Sequence, residues 1–116
     1  MAIAVDATKE ALADAYVAQA EEVSLHTGAP GATGANEATG GSPAYARLAI
    51  TWGADTTDDG QRVGSEVTFD VPAGTYSHWG FWTAAGVFVD GGALTGGSIT
   101  LGAQGQIKVT PAYVQA

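Results

Sequence analysis

The sequence contains no cysteine, and it has only 4 basic residues against 12 acidic ones in 116 residues. Without cysteine the fold cannot depend on disulfides or on a thiolate metal site, so packing and association must stabilise it. The formal net charge of −8 repels phosphate backbones and anionic lipids, so we expect neither nucleic acid nor a membrane as partner. Charged residues make up only 14% of the chain, which favours a second subunit covering part of the neutral surface.

The N-terminus also lacks a basic segment followed by an apolar core, and no apolar run approaches the ~20 residues of a membrane helix. We therefore expect a soluble protein that is made in the cytoplasm. A chain of 116 residues is long enough to bury a sizeable core, and we expect a single domain over residues 1–116.

Aromatic residues are concentrated in residues 71–90, which hold two of the three tryptophans. Strand alternation over residues 76–83 divides the side chains between two faces: Tyr76, His78, Gly80 and Trp82 on one, and Ser77, Trp79, Phe81 and Thr83 on the other. Because both faces carry aromatics, the strand must lie between layers or have one face covered by another chain. Residues 84–86 then turn the chain into residues 87–89, which completes a hairpin.

A helix and a long loop precede this hairpin. Residues 6–20 are mostly good helix formers behind a capping Asp6, and Val5, Leu12, Tyr16 and Ala20 form a narrow stripe for packing. The alternative is an N-terminal arm that only a partner orders. Residues 27–43, TGAPGATGANEATGGSP, have no apolar periodicity and predict a long glycine-rich loop. We expect it to be ordered by the rest of the fold or by an adjacent subunit, with a mobile loop as the alternative.

Five further alternating segments predict strands, at residues 23–26, 45–52, 66–71, 98–101 and 106–109. In the first, Val23 and Leu25 alternate with Ser24 and His26, which predicts a half-buried strand. Together with the hairpin these segments give about seven strands. The predicted fold is therefore mainly β, an antiparallel β-sandwich with one N-terminal helix and a long glycine-rich loop.

The sequence offers little for catalysis or metal binding. The only histidines, His26 and His78, lie in no nucleophile elbow and form no metal-binding pair, so packing or interface roles are favoured. Paired carboxylates for sugar cleavage would come from Glu37, Glu66, Asp70 and Asp90, but nothing marks any of them as perturbed. Asp55, Asp58 and Asp59 could offer oxygens to Ca²⁺, yet their spacing is not that of an EF-hand, and a solvated loop is favoured. We therefore predict no catalytic residue, no metal and no cofactor.

The aromatic side chains allow two interpretations. Trp52, Tyr76, Trp79, Phe81 and Trp82 could form a platform that stacks on sugar rings, as in carbohydrate-binding modules. They could instead fill the core and a subunit interface, which aromatics favour because each buries a large area. The second interpretation is preferred.

Four phrases resemble a family of small virion proteins encoded by bacteriophages of actinobacteria and described as tail-fibre-like, minor tail or capsid-decorating. They are SLHTGAPGATGANEATGGSPAYAR (24–47), AITWGA (49–54), FDVPAGTYSHWGFWTAAGVFVDGGAL (69–94) and GQIKVTPAY (105–113). The resemblance covers nearly the whole chain and implies a structural protein of the virion without enzymatic activity.

On this resemblance the expected partners are the chain itself, as a homo-oligomer with a trimer as one option, and other virion proteins of the capsid or tail. The protein would be made in the host cytoplasm and would end up in the virion. The predicted interface residues are Leu12, Tyr16, Tyr76, His78, Trp79, Phe81 and Trp82. The alternative function is a receptor-binding module that recognises host cell-envelope carbohydrate through exposed aromatics.

Overall fold

The computed structural model describes residues 6–53 and 61–114. Within these ranges the elements are α1 Asp6–Gln19, β1 Glu22–His26, β2 Leu48–Ala49, β3 Gln61–Val63, β4 Val67–Val71, β5 Gly74–Tyr76, β6 His78–Trp82, β7 Phe88–Ala93, β8 Ile99–Leu101, β9 Gly105–Val109 and β10 Ala112–Val114. The predicted fold class is confirmed, because every strand pair is antiparallel and one helix precedes the strands. Two predicted features, Val5 and the acidic residues Asp55, Asp58 and Asp59, lie outside the described residues.

Two layers of strands enclose the core. The first layer is a four-stranded sheet in the order β2-β1-β6-β7, which makes β1 and β6 its central strands. The second is a long two-stranded ribbon, in which β4 pairs with β9 and β5 pairs with β8. The short β3–β10 pair lies against α1, where Arg62 of β3 donates to Asp14. Val23, Leu25 and Phe81 of the sheet pack against Phe69 and Ile107 of the ribbon, and these residues form one cluster.

The helix is confirmed, and its packing matches the predicted stripe in part. Ala20 is fully buried as predicted, whereas Leu12 is 44% exposed and Ala13 is buried instead. Tyr16 bridges to the sheet, where its ring meets Phe81 edge-on at 6.0 Å and its hydroxyl donates to Asp90 at 2.7 Å. Small buried alanines let the helix approach the sheet closely. No helix among the described residues is long and apolar enough to cross a membrane.

The longest predicted strand, residues 45–52, is wrong in extent, because only Leu48–Ala49 pairs with β1. Trp52 forms a bridge with Gly64, so the chain changes partners within this segment. Alternate residues of this segment, Leu48, Ile50 and Trp52, pack against the core. Alternation fixes the direction in which side chains point, but it does not identify the strand that a segment pairs with.

The predicted strand over residues 76–83 divides at Ser77 into β5 and β6, which belong to different layers. The hairpin β6–β7 is confirmed, and β7 extends beyond the predicted residues 87–89 to Ala93. The strands predicted at residues 98–101 and 106–109 are β8 and β9, which pair with β5 and β4 and not with each other. The strands β3 and β10 were not predicted from the sequence.

Candidate functional site

The glycine-rich loop (residues 27–43) covers one face of β6. Trp82 lies on this face and is only 7% exposed. Gly34 has a φ of +76° and lies against the indole, so that a Cβ at this position would collide with the ring. Phe88 of β7 meets the same ring edge-on, with 5.1 Å between centroids. On this face of β6, the covering layer that the sequence predicts is therefore a loop of the same chain.

A chain of three hydrogen bonds runs beneath the loop. The carbonyl oxygen of Ala35 can only accept, so the Nδ1–H of His26 donates to it, at 2.7 Å. The Nε2 of His26 is then an acceptor for the hydroxyl of Ser24 at 2.6 Å. The Nε1–H of Trp82 donates to the same Ser24 oxygen at 2.8 Å. This chain ties the loop to β1 and to β6 and leaves no polar atom of the trio unpaired.

Ser24 and His26 form the kind of pair that a nucleophile and its base would form, but the surroundings exclude that chemistry. Both residues are fully buried, and the group that orients the imidazole is a carbonyl, without the carboxylate of a triad. A Cβ on Gly80 would lie 2.6 Å from Ser24 Oγ and 2.8 Å from His26 Nε2, so no substrate atom has room there. The pair is structural, and the prediction that β1 is half-buried is wrong because the loop covers its second face.

A second cluster holds the end of the loop through Glu37. The Nε and a terminal nitrogen of Arg47 donate to its two carboxylate oxygens, each at 2.9 Å. Tyr45 donates its hydroxyl to the same carboxylate at 2.8 Å and accepts from the backbone of Leu25 at 3.0 Å. The guanidinium carbon of Arg47 lies 3.5 Å from the centroid of the Trp82 ring. Arg47 thus joins the loop to β6 by an ion pair and by a cation–π contact.

The electrostatics of these groups follow from burial and from their partners. Burial lowers the pKa of His26, against the opposing effects of the Ala35 hydrogen bond and the Glu37 charge. Burial raises the pKa of Glu37, but the hydrogen bonds from Arg47 and Tyr45 outweigh it, and the net shift is downward. The neutral imidazole and the ionised carboxylate are therefore the forms that keep the loop in place.

The backbone of the loop adds to the sheet. Thr27 donates its N–H to the carbonyl of Asn36, and Ala38 donates to the carbonyl of Leu25, both at 2.9 Å. His26 and Glu37 form an antiparallel bridge. Residues 36–38 therefore lie along the edge of β1, on the side where β2 also pairs. The contacts of the loop with its own fold give it the ordering that the sequence analysis expected.

The opposite face of β6 opens into an apolar groove between the sheet and the ribbon. The groove has a volume of about 650 Å³. Its walls are apolar side chains from β6, β8, β9 and the segments beside them: Trp79, Phe81, Leu94, Ile99, Val109 and Pro111. Trp79 is half-buried and packs on Phe81 with 4.5 Å between ring centroids. Aromatic rings on this face are thus only partly covered by the chain itself.

One basic residue, Lys108, also lines the groove. Arg47 is paired with Glu37 and Arg62 with Asp14, each at 2.9 Å. Lys108 is the only basic side chain described in the structure that has no ion pair with another described residue. In a chain with three times as many acids as bases, an unpaired cation beside an apolar groove favours an acidic partner.

The predicted interface residues do not lie together. The chain itself buries Tyr76, Phe81 and Trp82, whereas Trp79 is half-buried in the groove. The remaining candidates, Leu12, Tyr16 and His78, lie outside the groove lining. Ile99, Val109 and Lys108 were not predicted as groove residues, because β8 and β9 reach the groove only through pairings distant in sequence. Ser24 was not predicted as the hydrogen-bond partner of His26, although the Ser-x-His spacing on one strand face was the available signal.

Among the described residues no group of three or more acidic or histidine side chains lies close enough together to hold a metal ion. No curated protein and no solved structure matches the chain. The model of one protein family, described as podophage GP4 fiber I protein gp80, matches residues 7–109. This match supports the resemblance to phage structural proteins, although it does not specify phages of actinobacteria. With nearly its whole length matched, the chain belongs to the podophage GP4 fiber I protein gp80 family.

Proposed function

We propose that this protein is a non-enzymatic fibre component on the exterior of the phage particle, and that it acts by symmetric assembly with copies of itself. Membership in a phage fibre family makes it a virion structural protein. The open apolar groove beside Trp79 is the observation that supports assembly. Apolar openings of this kind are favoured at protein contacts, where a partner removes them from water.

The distribution of polar groups agrees with this proposal. The one serine–histidine pair with catalytic spacing is sealed beneath the loop. Glu37, which the sequence analysis weighed as a carboxylate for catalysis, is held by Arg47 and Tyr45. These groups stabilise the monomer, whereas the groove beside Trp79 leaves apolar side chains that a partner can cover. Repetition under closed symmetry multiplies a modest contact per chain into a large total area.

The contact surface that we propose includes Trp79 in the groove, together with Leu12, Tyr16 and His78 as further candidates. Phe81 supports Trp79 from beneath. Tyr76 and Trp82 are both buried, so they stabilise the monomer and do not form part of the contact surface. The other partners would be fibre or tail proteins of the same particle, which the protein would join after synthesis in the host cytoplasm.

Sedimentation of the purified protein and labelling of intact particles test the proposal together. We expect a discrete homo-oligomer at micromolar concentration, and we expect an antibody against the protein to label the tail region of the particle. Purified protein should bind tails more strongly than empty capsids. A chain that stays monomeric at high concentration and is absent from purified particles would contradict the proposal.

A second function, recognition of host cell-envelope carbohydrate, is favoured by one observation. Trp79 lines an open groove that also contains Lys108 and Thr95, so a ring for stacking lies beside polar groups. Titration with envelope oligosaccharides, followed by tryptophan fluorescence, distinguishes the two functions. A saturable shift that is lost in Trp79→Ala would support carbohydrate binding, and no shift is expected if the groove serves assembly alone.

A further inference from the structure

The tip of the β6–β7 hairpin (residues 84–87) is apolar, uncharged and exposed. Its sequence is Ala-Ala-Gly-Val, and Val87 is 61% exposed. The turn is held by two bonds at its base: Thr83 donates its N–H to the carbonyl of Val87 at 2.8 Å, and Val87 donates its N–H to the Thr83 hydroxyl at 3.1 Å. A small preorganised apolar knob of this kind loses little entropy when it enters a partner.

The groove complements this tip in size and polarity. A volume of about 650 Å³ is in the range of sites that enclose ligands of several hundred daltons, ~300–1,000 Å³. The tip offers four small residues without a charge, which suits walls formed by residues such as Ile99 and Val109.

The hairpin tip and the groove also carry charges of opposite sign. Glu21 is exposed and lies at the base of the tip, since its N–H donates to the carbonyl of Trp82 at 2.9 Å. No described residue forms an ion pair with it. Lys108 in the groove is likewise unpaired, while Asp70 on the neighbouring strand accepts from Gln106 at 3.2 Å. The tip thus carries an acid at its base, and the groove carries a free cation.

We propose that the hairpin tip of one copy inserts into the groove of the next copy, with Glu21 facing Lys108. This inference rests on the proposed function, and it specifies the contact through which the copies assemble. In this arrangement the tip of each copy enters the groove of the next copy and not that of the copy whose tip it receives, so the contact is heterologous and each copy uses both surfaces. Heterologous contacts build closed rings or extended filaments, both of which suit a fibre component.

The first test adds a positive charge to the tip. Ala85→Lys should weaken self-association at least about 100-fold, because a lysine would be buried against Lys108 without a partner. Ala103→Lys is the matched control, since it makes the same substitution in another exposed turn outside the groove lining. Sedimentation velocity measures both variants, and circular dichroism checks their folding. Equal association of the two variants would overturn the proposal.

The second test uses a mixture of two defective variants. Ile99→Lys blocks the groove but leaves the tip intact, and Ala85→Lys does the reverse. Each variant alone should be monomeric, whereas an equimolar mixture should form one-to-one dimers through the single intact tip and groove. A contact between identical surfaces would give no dimer in the mixture, and that result would overturn the proposal.

The third test exchanges the charges. Lys108→Glu should weaken association about tenfold, and the double variant Lys108→Glu with Glu21→Lys should recover most of it. Failure of the double variant to recover would contradict the facing of these two residues. If wild type assembles and all tip and groove variants assemble equally, this inference fails while the proposed function stands. If wild type neither assembles nor enters particles, the proposed function fails first.

Discussion

The two faces of β6 carry aromatic residues in similar density, but the chain treats them differently. On the face of Trp82 the glycine-rich loop seals the ring, and each polar group in the hydrogen-bond chain beneath it has a partner. On the face of Trp79 the rings line a groove of about 650 Å³, where Lys108 has no described partner. The first face is complete within the monomer, whereas the second has apolar surface left to bury.

Aromatic side chains on a strand can be covered by another segment of the same chain or left open to a partner, and β6 shows both cases. A glycine such as Gly34 can bring a loop against a ring, because it has no Cβ and tolerates the positive φ. Where no such segment is available, the ring stays available to another molecule. The sealed face therefore serves stability alone, whereas the other face holds both the core around Phe81 and the open groove at Trp79. The variants below test this division.

The largest expected effect is on the sealed face. Trp82→Ala should lower the free energy of unfolding by about 3–5 kcal/mol, because it removes a buried ring together with its contacts to Ser24, Gly34 and Arg47. Urea denaturation measures this loss. Trp79→Ala is the matched substitution on the open face and should cost less stability while it impairs assembly. The division would be wrong if the two variants lost stability equally.

A smaller loss is expected from crowding at Gly80. Gly80→Ala should lower the free energy of unfolding by about 1–3 kcal/mol, since the new methyl meets buried oxygen and nitrogen atoms of Ser24 and His26. The control is Gly102→Ala, where no atom lies within 4 Å of the added carbon. Thermal or urea unfolding of the pair measures the difference. Identical curves would show that the serine–histidine pair is not packed as described.

The Glu37–Arg47 ion pair of the loop should contribute more to stability than the exposed Asp14–Arg62 pair. Glu37→Gln should cost about 1–2 kcal/mol, because it leaves the guanidinium of Arg47 without its carboxylate in a partly buried site. Asp14→Asn makes the same change at the Arg62 pair, where the Asp14 side chain is 60% exposed, and should cost little. Chemical denaturation of both variants in one buffer checks the ranking, which a larger loss in Asp14→Asn would reverse.

The pH dependence gives the smallest and most specific effect. Burial holds the pKa of His26 below its ordinary 6.5, so between the two values the unfolded chain binds a proton that the folded chain does not. Stability should therefore be full above about pH 7 and should fall as the pH drops below 6.5, until the imidazole of the folded chain also takes up a proton. The lowered pKa of Glu37 adds a further loss below its ordinary 4.5. His26→Gln should flatten the upper step, as measured by denaturant midpoints across pH, and an unchanged slope would exclude His26 as the cause.

The sequence predicted the parts of the fold that local chemistry decides. Helix-forming residues after Asp6 gave α1, and the turn around Gly86 gave the hairpin. The need for a second cover on β6 followed from alternation alone. What covers it did not follow, because contacts such as His26 with Ala35 and Arg47 with Trp82 depend on the path of a loop without periodicity.

The open face was harder to predict than the sealed one. Trp79 was named as an interface residue, but Lys108 and Ile99 reach the groove through the pairing of β8 and β9 with β5 and β4. Those pairings join residues more than twenty positions apart, and short alternating segments do not specify their partners. The strand of Ser24 and His26 was predicted to be half-buried for a similar reason, since nothing local indicated that a loop would cover its second face.

The placement of β1 at the centre of its sheet also governs how the chain can fold during synthesis. One edge of β1 pairs with β2 and the loop, which are synthesised soon after it. The other edge pairs with β6, which is synthesised much later, as in the pairing of Glu22 with Trp82. A chain still emerging from the ribosome therefore carries a nascent strand with one row of backbone donors and acceptors unmet. Such an edge recruits neighbouring strands and favours aggregation. We expect chains truncated before β6 to be insoluble and chains that extend through β9 to regain solubility.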